Sequence, residues 1–417
     1  MVEQLRELRD RRGCEVSAVV SGPCGSLIDK LNAEGIPHFT FDFRLRGFWK
    51  LLTLPLALLR LARFFRREKF DVVQTHVFRS MLFARPAAWL ADVPVRLSMI
   101  SGPFHLEAGL PGWIERSTHW METMLIPSCE HSLRLCRDMG VPQERLALIY
   151  YGADESRFNP AETQPGGLRR RFGWADDVPL IGLIAYFYHR LPRSWWVPEY
   201  LFDRAAKGHE DLIKAAPLVL AQFPATKFLL IGSGWGPSGE AYQQELKELV
   251  NKIGLDQSIL FAGYQEHVGG ALRELDVAVQ ASLNENLGGT IEALLMECPL
   301  VATRVGGMPD AVRDGETGVL VNPADPEDLA RGIIDLLRDP EKARSLAVAG
   351  RKFALQRLTL NRTVNDLSQL YGTLLEREGK AQQKYRLPVS SYRFLILVGG
   401  FLLMALGLVP RRLFSKY

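Results

Sequence analysis

Residues 281–308, ASLNENLGGTIEALLMECPLVATRVGGM, decide how this chain is read. They set two carboxylates, Glu285 and Glu292, around a Gly288-Gly289 turn that opens into a helix. A helix start leaves its first backbone N–H groups without intrahelical partners, and the helix dipole adds positive potential at the same end. Glycine has no Cβ to keep a ligand away from that backbone. The turn is therefore an anion site suited to phosphate, and the neighbouring carboxylates suit hydroxyl groups. Hydroxyls beside a diphosphate describe a nucleotide sugar. The competing reading is an ordinary loop-to-helix junction whose acids cap the helix start.

Outward from this stretch, short apolar runs alternate with helical patterns. Before it, strands are expected at residues 180–186, 227–231, 258–262 and 277–281, with helices at 209–223 and 241–253. After it come strands at 300–303 and 318–321. An earlier series has strands at 15–20, 38–43, 71–75 and 95–100 and helices at 2–11, 26–34 and 55–69. Such alternation indicates βαβ units and parallel sheets. The fold class expected is α/β, with two Rossmann-like doubly wound domains facing a cleft where ligands sit beyond the strand ends. The division is residues 1–155, a linker at 156–178, a second domain at 179–355, a crossover helix at 356–379, and a basic, hydrophobic tail at 380–417. The first series opens inside a helix, so its sheet is expected to lack a first strand or the reading frame to be cut short.

Length and composition agree. A chain of 417 residues exceeds one core of usual size. A net charge of +4 is too small to make nucleic acid the main partner. Five cysteines, with no C-x-x-C pair, imply neither a zinc site nor a disulfide framework and fit a reducing cytosol. No secretory signal pattern opens the chain.

From residue 5 to about 371 the chain resembles the family 4 glycosyltransferases of the GT-B fold. The matching segments are DVVQTH (71–76), IYYGADESRF (149–158), KGHEDLI (207–213), LLIGSG (229–234), residues 281–310 and DGETGVLVNPADPEDLA (314–330). The resemblance implies retaining transfer from a nucleotide-sugar donor. It implies that Lys207 meets the donor diphosphate as one of a basic pair. The partner arginine's position holds Tyr186, leaving Arg190 and Arg204, at an inserted loop, as candidates. The family's paired glutamates are usually separated by seven residues; here Glu285 and Glu292 have six between them. The first acid is then Glu285 with a tightened turn, or a substituted Asn284. Glu292 would hold the ribose hydroxyls, and the first acid would stabilise charge developing at the anomeric carbon.

The remaining site expectations follow from the same likeness. Backbone amides from Leu287 through Gly288, Gly289 and Thr290 to Ile291 would serve the phosphates, and Gly232 and Gly234 would lie near the donor base. His105, in an N-domain loop, would handle the acceptor; His76, at a strand end, is a cleft or a structural histidine. Front-face displacement needs no strong protein base and, in the absence of an acidic clamp, no obligatory metal or other cofactor is expected. Competing readings are a non-catalytic donor-binding descendant and a nucleotide-sugar epimerase; no G-x-G-x-x-G pattern supports a nicotinamide dehydrogenase.

Residues 394–409, FLILVGGFLLMALGLV, carry no charge and have basic residues on both sides. They read as a short tail anchor or re-entrant segment. Residues 47–69, basic and aromatic, read as a second membrane-facing helix or an ordinary one. The insert at 187–206 is expected to cap the donor, to meet a lipid acceptor, or to be a surface insertion. The expectation is a transferase at the cytoplasmic face of a membrane, acting on a lipid-linked or polysaccharide precursor. Oligomeric state is not legible.

Overall fold

The structure, a computed structural model, describes residues 1–21, 26–41 and 48–384. In the second half, β6 (Leu180–Ile184), β7 (Lys227–Ile231), β8 (Ile259–Gly263), β9 (Val277–Gln280), β10 (Leu300–Thr303) and β11 (Val319–Val321) form one parallel sheet. Their order is β11-β10-β9-β6-β7-β8. Helices cover both faces, which explains why the strands read as unbroken apolar runs rather than alternating ones. Leu229, Leu230 and Ile231 have no exposed surface, and burying each contributes about 1.5–3 kcal/mol. The chain winds from β6 toward β8, then returns to β9 and winds the other way. The switch lies between β6 and β9, and the loops leaving those two strands converge outside their carboxyl ends.

The first half holds β1 (Ala18–Ser21) paired in parallel with β2 (His38–Phe41), and β3 (Val72–His76), β4 (Val95–Ile100) and β5 (Met124–Pro127) in a separate parallel sheet. The two sheets are not joined to each other among the described residues. The helix Leu360–Lys384 returns from the second half to cover the first. Its Leu367 and Leu374 pack on Val95, Leu97 and Met99. The crossing is tight: a Cβ on Gly152 would stand 2.0 Å from the Thr359 carbonyl oxygen.

The membrane expectations meet the structure in part. In the helix Phe48–Glu68, Leu58, Leu61, Phe64 and Phe65 are buried against Phe83, Ala87 and Trp89. Phe64 and Phe65 are thus core residues and not available to lipid, while Arg60, Arg63, Arg66 and Arg67 are exposed. The run at 394–409 lies outside the described residues, and no described helix is long and apolar enough to cross a membrane. The insert at 187–206 is folded: Phe187, Val197 and Leu201 are buried, and Leu191 exchanges backbone hydrogen bonds with Arg204 and Asp203. Leu110 of the first half donates to the Trp195 carbonyl at 2.8 Å, so the insert bridges the two halves.

Candidate active site

The loop after β9 carries Glu285 and runs into the helix Gly288–Leu295; the loop after β6 ends at Lys207. The switch between those strands brings the two together, and the Lys207 ammonium donates to a Glu285 carboxylate oxygen. The other carboxylate oxygen accepts the Asn286 amide at 3.0 Å. Asn284 turns away, donating to Glu107 at 2.8 Å and to the Tyr200 hydroxyl at 2.6 Å. Glu285, not Asn284, is therefore the acid beside Lys207. Tyr188 stands close to the pair: burial raises its phenol above the ordinary range, with Lys207 pulling down and Glu285 pushing up.

Glycines fix this geometry. Gly208 has φ +68°, and a Cβ there would lie 1.9 Å from the Ala281 carbonyl oxygen, which presses Lys207 against the end of β9. Gly306, at φ +51°, would put a Cβ 1.7 Å from the Glu285 carbonyl oxygen. Both the positive φ and the approach exclude a side chain. Gly306→Ala is expected to displace the Glu285 loop and lower turnover about tenfold or more, since misplacing a catalytic group by about 1 Å costs up to ~10²-fold; steady-state kinetics with an unchanged circular dichroism spectrum checks this.

At the helix start the Thr290 amide donates to the Leu287 carbonyl at 3.0 Å. It is used internally, which takes the Thr290 amide out of the expected run of phosphate-binding amides. Gly288 is exposed, and Gly289 lies over Gln280, whose Nε2 would be 2.7 Å from an added Cβ.

One turn on, burial pushes the Glu292 carboxyl up to about 7, against a lowering by Arg157 and with a small rise from Glu3. The ionised form accepts hydrogen bonds from two hydroxyls; the neutral acid keeps one oxygen occupied by its proton. Affinity for the donor should therefore improve as pH rises through about 7 and lose this dependence in Glu292→Gln. Stability moves the opposite way: a carboxyl raised on folding stabilises fully below its unfolded pKa, and that contribution is lost as pH rises through the folded value. Glu292→Gln is thus expected to raise stability at pH 8 by about 1–3 kcal/mol while weakening donor binding, measured by denaturation and by donor titration.

Toward the first half lies a cavity of about 240 Å³ lined by Phe78, Ser101, Gly102, Phe104, His105, Asn284, Glu285 and Asn286. His105 is buried and stacked on Phe78 with ring centres 5.1 Å apart. Burial lowers its pKa to about 4, so the ring is neutral at pH 7. Its Nε2 has no hydrogen-bond partner among the described residues. A buried polar atom without a partner is costly, and here it borders a cavity beside Glu285.

The other expected residues have contacts of their own. Arg190 is tied to Glu210 at 2.7 Å and Glu245 at 3.4 Å and sits over the Tyr242 ring. Arg204 lines a cavity between the two halves, together with Glu107, Arg134 and Arg304. Gly232 and Gly234 have packing reasons: Cβ atoms would stand 2.0 Å from the Ala185 carbonyl oxygen and 2.4 Å from the Glu240 amide. His76 bonds the Tyr151 hydroxyl at 2.5 Å and Gln74 at 3.0 Å, and burial lowers its pKa to about 3. Glu107, Tyr188 and Tyr200 reach the cleft from segments whose sequence carries no motif.

Comparison with known proteins gives this geometry a family. The family described as Glycosyl transferases group 1 matches residues 203–353, and the Glycosyl transferase 4-like domain matches residues 1–152. EpsD of Bacillus subtilis (strain 168), which carries a glycosyltransferase name, is 31% identical over 323 residues, covering 75% of this chain and 79% of EpsD. A D-inositol 3-phosphate glycosyltransferase of Thermomonospora curvata is 28% identical over 379 residues, covering 86% and 81%. Among solved structures, Anabaena Alr3699/HepE in complex with UDP and glucose superposes with a TM-score of 0.71 at 19% identity, covering 89% of this chain and 94% of that one. That likeness shows the fold, GT-B. The chain belongs to the group 1 glycosyltransferases, with a family 4-like N-terminal domain, and is a glycosyltransferase.

Proposed function

We propose that this glycosyltransferase works with retention, moving a sugar from a nucleotide-sugar donor to a lipid-linked or polysaccharide precursor at the cytoplasmic face of a membrane. The observation that carries the reading is the Lys207–Glu285 pair beside the amides of Gly288 and Gly289, at the sheet's switch point and bordering the cavity that holds His105. The donor diphosphate takes the Gly288 and Gly289 amides and the Lys207 charge, and Glu292 takes the ribose hydroxyls. Support for the donor class comes from HepE, whose structure holds UDP and glucose. The sugar then lies against Glu285, with the neutral His105 ring within the same cavity as a partner for a sugar or acceptor hydroxyl.

In the reaction the bond from the anomeric carbon to the phosphate oxygen breaks as the acceptor oxygen adds to the same face. The acceptor proton passes to the departing phosphate oxygen, so no protein base is required. Lys207 and the helix dipole stabilise the charge that grows on the diphosphate, and Glu285 that on the anomeric carbon. This reading needs no obligatory metal. The acceptor class rests on association: EpsD and the inositol phosphate enzyme as relatives, and the apolar, base-flanked tail sequence. Product stereochemistry tests the mechanism. With an α-linked nucleotide sugar, proton NMR of the product should show the small anomeric coupling of an α-linkage; a β-linked product contradicts retention.

A further inference from the structure

A second cavity, of about 490 Å³, opens between the two halves of the chain. Asn284 lines both it and the cavity of His105, so the two meet at that side chain. Three guanidinium groups border it: Arg134 from the helix Glu130–Asp138, Arg204 from the insert, and Arg304 just after β10. The one carboxylate in its lining is Glu107. That carboxylate is already satisfied. It bonds His131 at 2.7 Å, Tyr200 at 2.5 Å and Asn284 at 2.8 Å. Arg304 shares Asp314 at 3.1 Å, with both side chains about half exposed. Arg134 and Arg204 form no ion pair with another described residue. Asp310 lies within electrostatic reach of Arg134, and Asp211 within that of Arg204, and Asp310 already accepts the Glu130 amide at 2.6 Å.

Three like charges drawn from three distant segments repel one another, and a planar guanidinium fork matches the oxygens of a phosphoryl group. The donor diphosphate, in the reading above, is held elsewhere by Lys207 and the Gly288–Gly289 amides. We propose that this cavity is a second phosphate site, which binds a phosphoryl group of the acceptor through Arg134, Arg204 and Arg304 and leaves the acceptor's hydroxyl end to reach past Asn284 toward His105. The word acceptor rests on the glycosyl-transfer reading; the anion site does not.

The test is calorimetric titration of the full chain with inorganic pyrophosphate, after saturation with whichever of UDP, GDP and ADP binds most tightly. One further pyrophosphate site is expected, weakened at least about tenfold in Arg134→Gln/Arg204→Gln, as loss of charge-assisted bonds implies. Melting temperature should not change, because both arginines are exposed; nucleotide affinity that falls in the variant together with pyrophosphate affinity overturns the separation of the two sites. Pyrophosphate that binds only in competition with the nucleotide, or equally well to the double variant, overturns the proposal. If no nucleotide binds while pyrophosphate does, the donor reading fails and the anion site stands. Glucose 6-phosphate and phosphatidylcholine vesicles containing phosphatidic acid are then tested as displacers. Displacement by the first marks a soluble phosphate ester, and by the second a lipid phosphate; displacement by neither overturns the acceptor assignment.

Discussion

Lys207→Ala is expected to lower kcat for sugar transfer by about 10²–10³-fold, the effect of deleting one preorganised group that stabilises charge on a leaving oxygen. Lys207 is the cation that the switch between β6 and β9 brings to the Gly288 helix start. Its side chain is about one-quarter exposed at 23%, so the fold should survive and the loss should be catalytic. Deleting it also leaves Glu285 unmatched beside the donor phosphates, where like charges repel. The double variant Lys207→Ala/Glu285→Gln should therefore recover part of the donor affinity without recovering kcat. Lys207→Arg should retain most affinity and lose turnover, because a fork replaces a compact point charge. Donor titration with single-turnover kinetics separates these effects. Equal kcat in Lys207→Ala and the parent would remove Lys207 from the mechanism.

Arg85→Met is expected to destabilise the first half of the chain by about 3–5 kcal/mol, the cost of breaking a buried ion network from one side. Arg85, Glu115 and Glu122 are all buried, and Arg85 reaches Glu115 at 2.8 Å and Glu122 at 2.9 Å while Thr118 and Ser98 take further guanidinium protons. Burial works against both carboxylates. Arg85 nevertheless holds Glu115 below the ordinary carboxyl range, whereas Glu122 stays above it. Without the cation both acids fold only at a raised pKa, so the defect should shrink as pH falls below the ordinary carboxyl range and grow as pH rises. Replacing all three by apolar residues of similar volume should restore much of the loss. Denaturant unfolding followed by tryptophan fluorescence reads this, since Trp89 and Trp120 pack edge-to-face at 5.2 Å in the same half.

The site's backbone frame was legible in sequence because local chemistry dictates it. The Gly288-Gly289 turn, Glu285 before it and Lys207 ahead of a helix are neighbours of strand ends, and strand periodicity alone places those ends. Helix starts were less legible. The helix Gly236–Lys252 begins ahead of the expected residue 241, with proline in its first turn where no N–H is needed. The helix Phe48–Glu68 runs through Pro55 and so begins ahead of the expected residue 55. What sequence did not show is contact between distant segments. Asn284 and Glu107 are 177 residues apart, yet their bond divides the cleft into two cavities. Arg190 and Arg204 looked alike as loop arginines; only packing assigns one to Glu210 and Glu245 and the other to the second cavity. The raised pKa of Glu292 and the unpartnered nitrogen of His105 are likewise products of burial, which no local pattern encodes.

The central claim is donor-dependent sugar transfer at the Lys207–Glu285 site. It is tested most directly by incubating the detergent-solubilised chain with UDP-, GDP-, ADP- and CMP-sugars and membrane lipid extract, and measuring released nucleotide. Release from one donor class, dependent on the extract and lost in both Lys207→Ala and Glu292→Ala, is the predicted result. Release that persists undiminished in both variants would contradict the site assigned here.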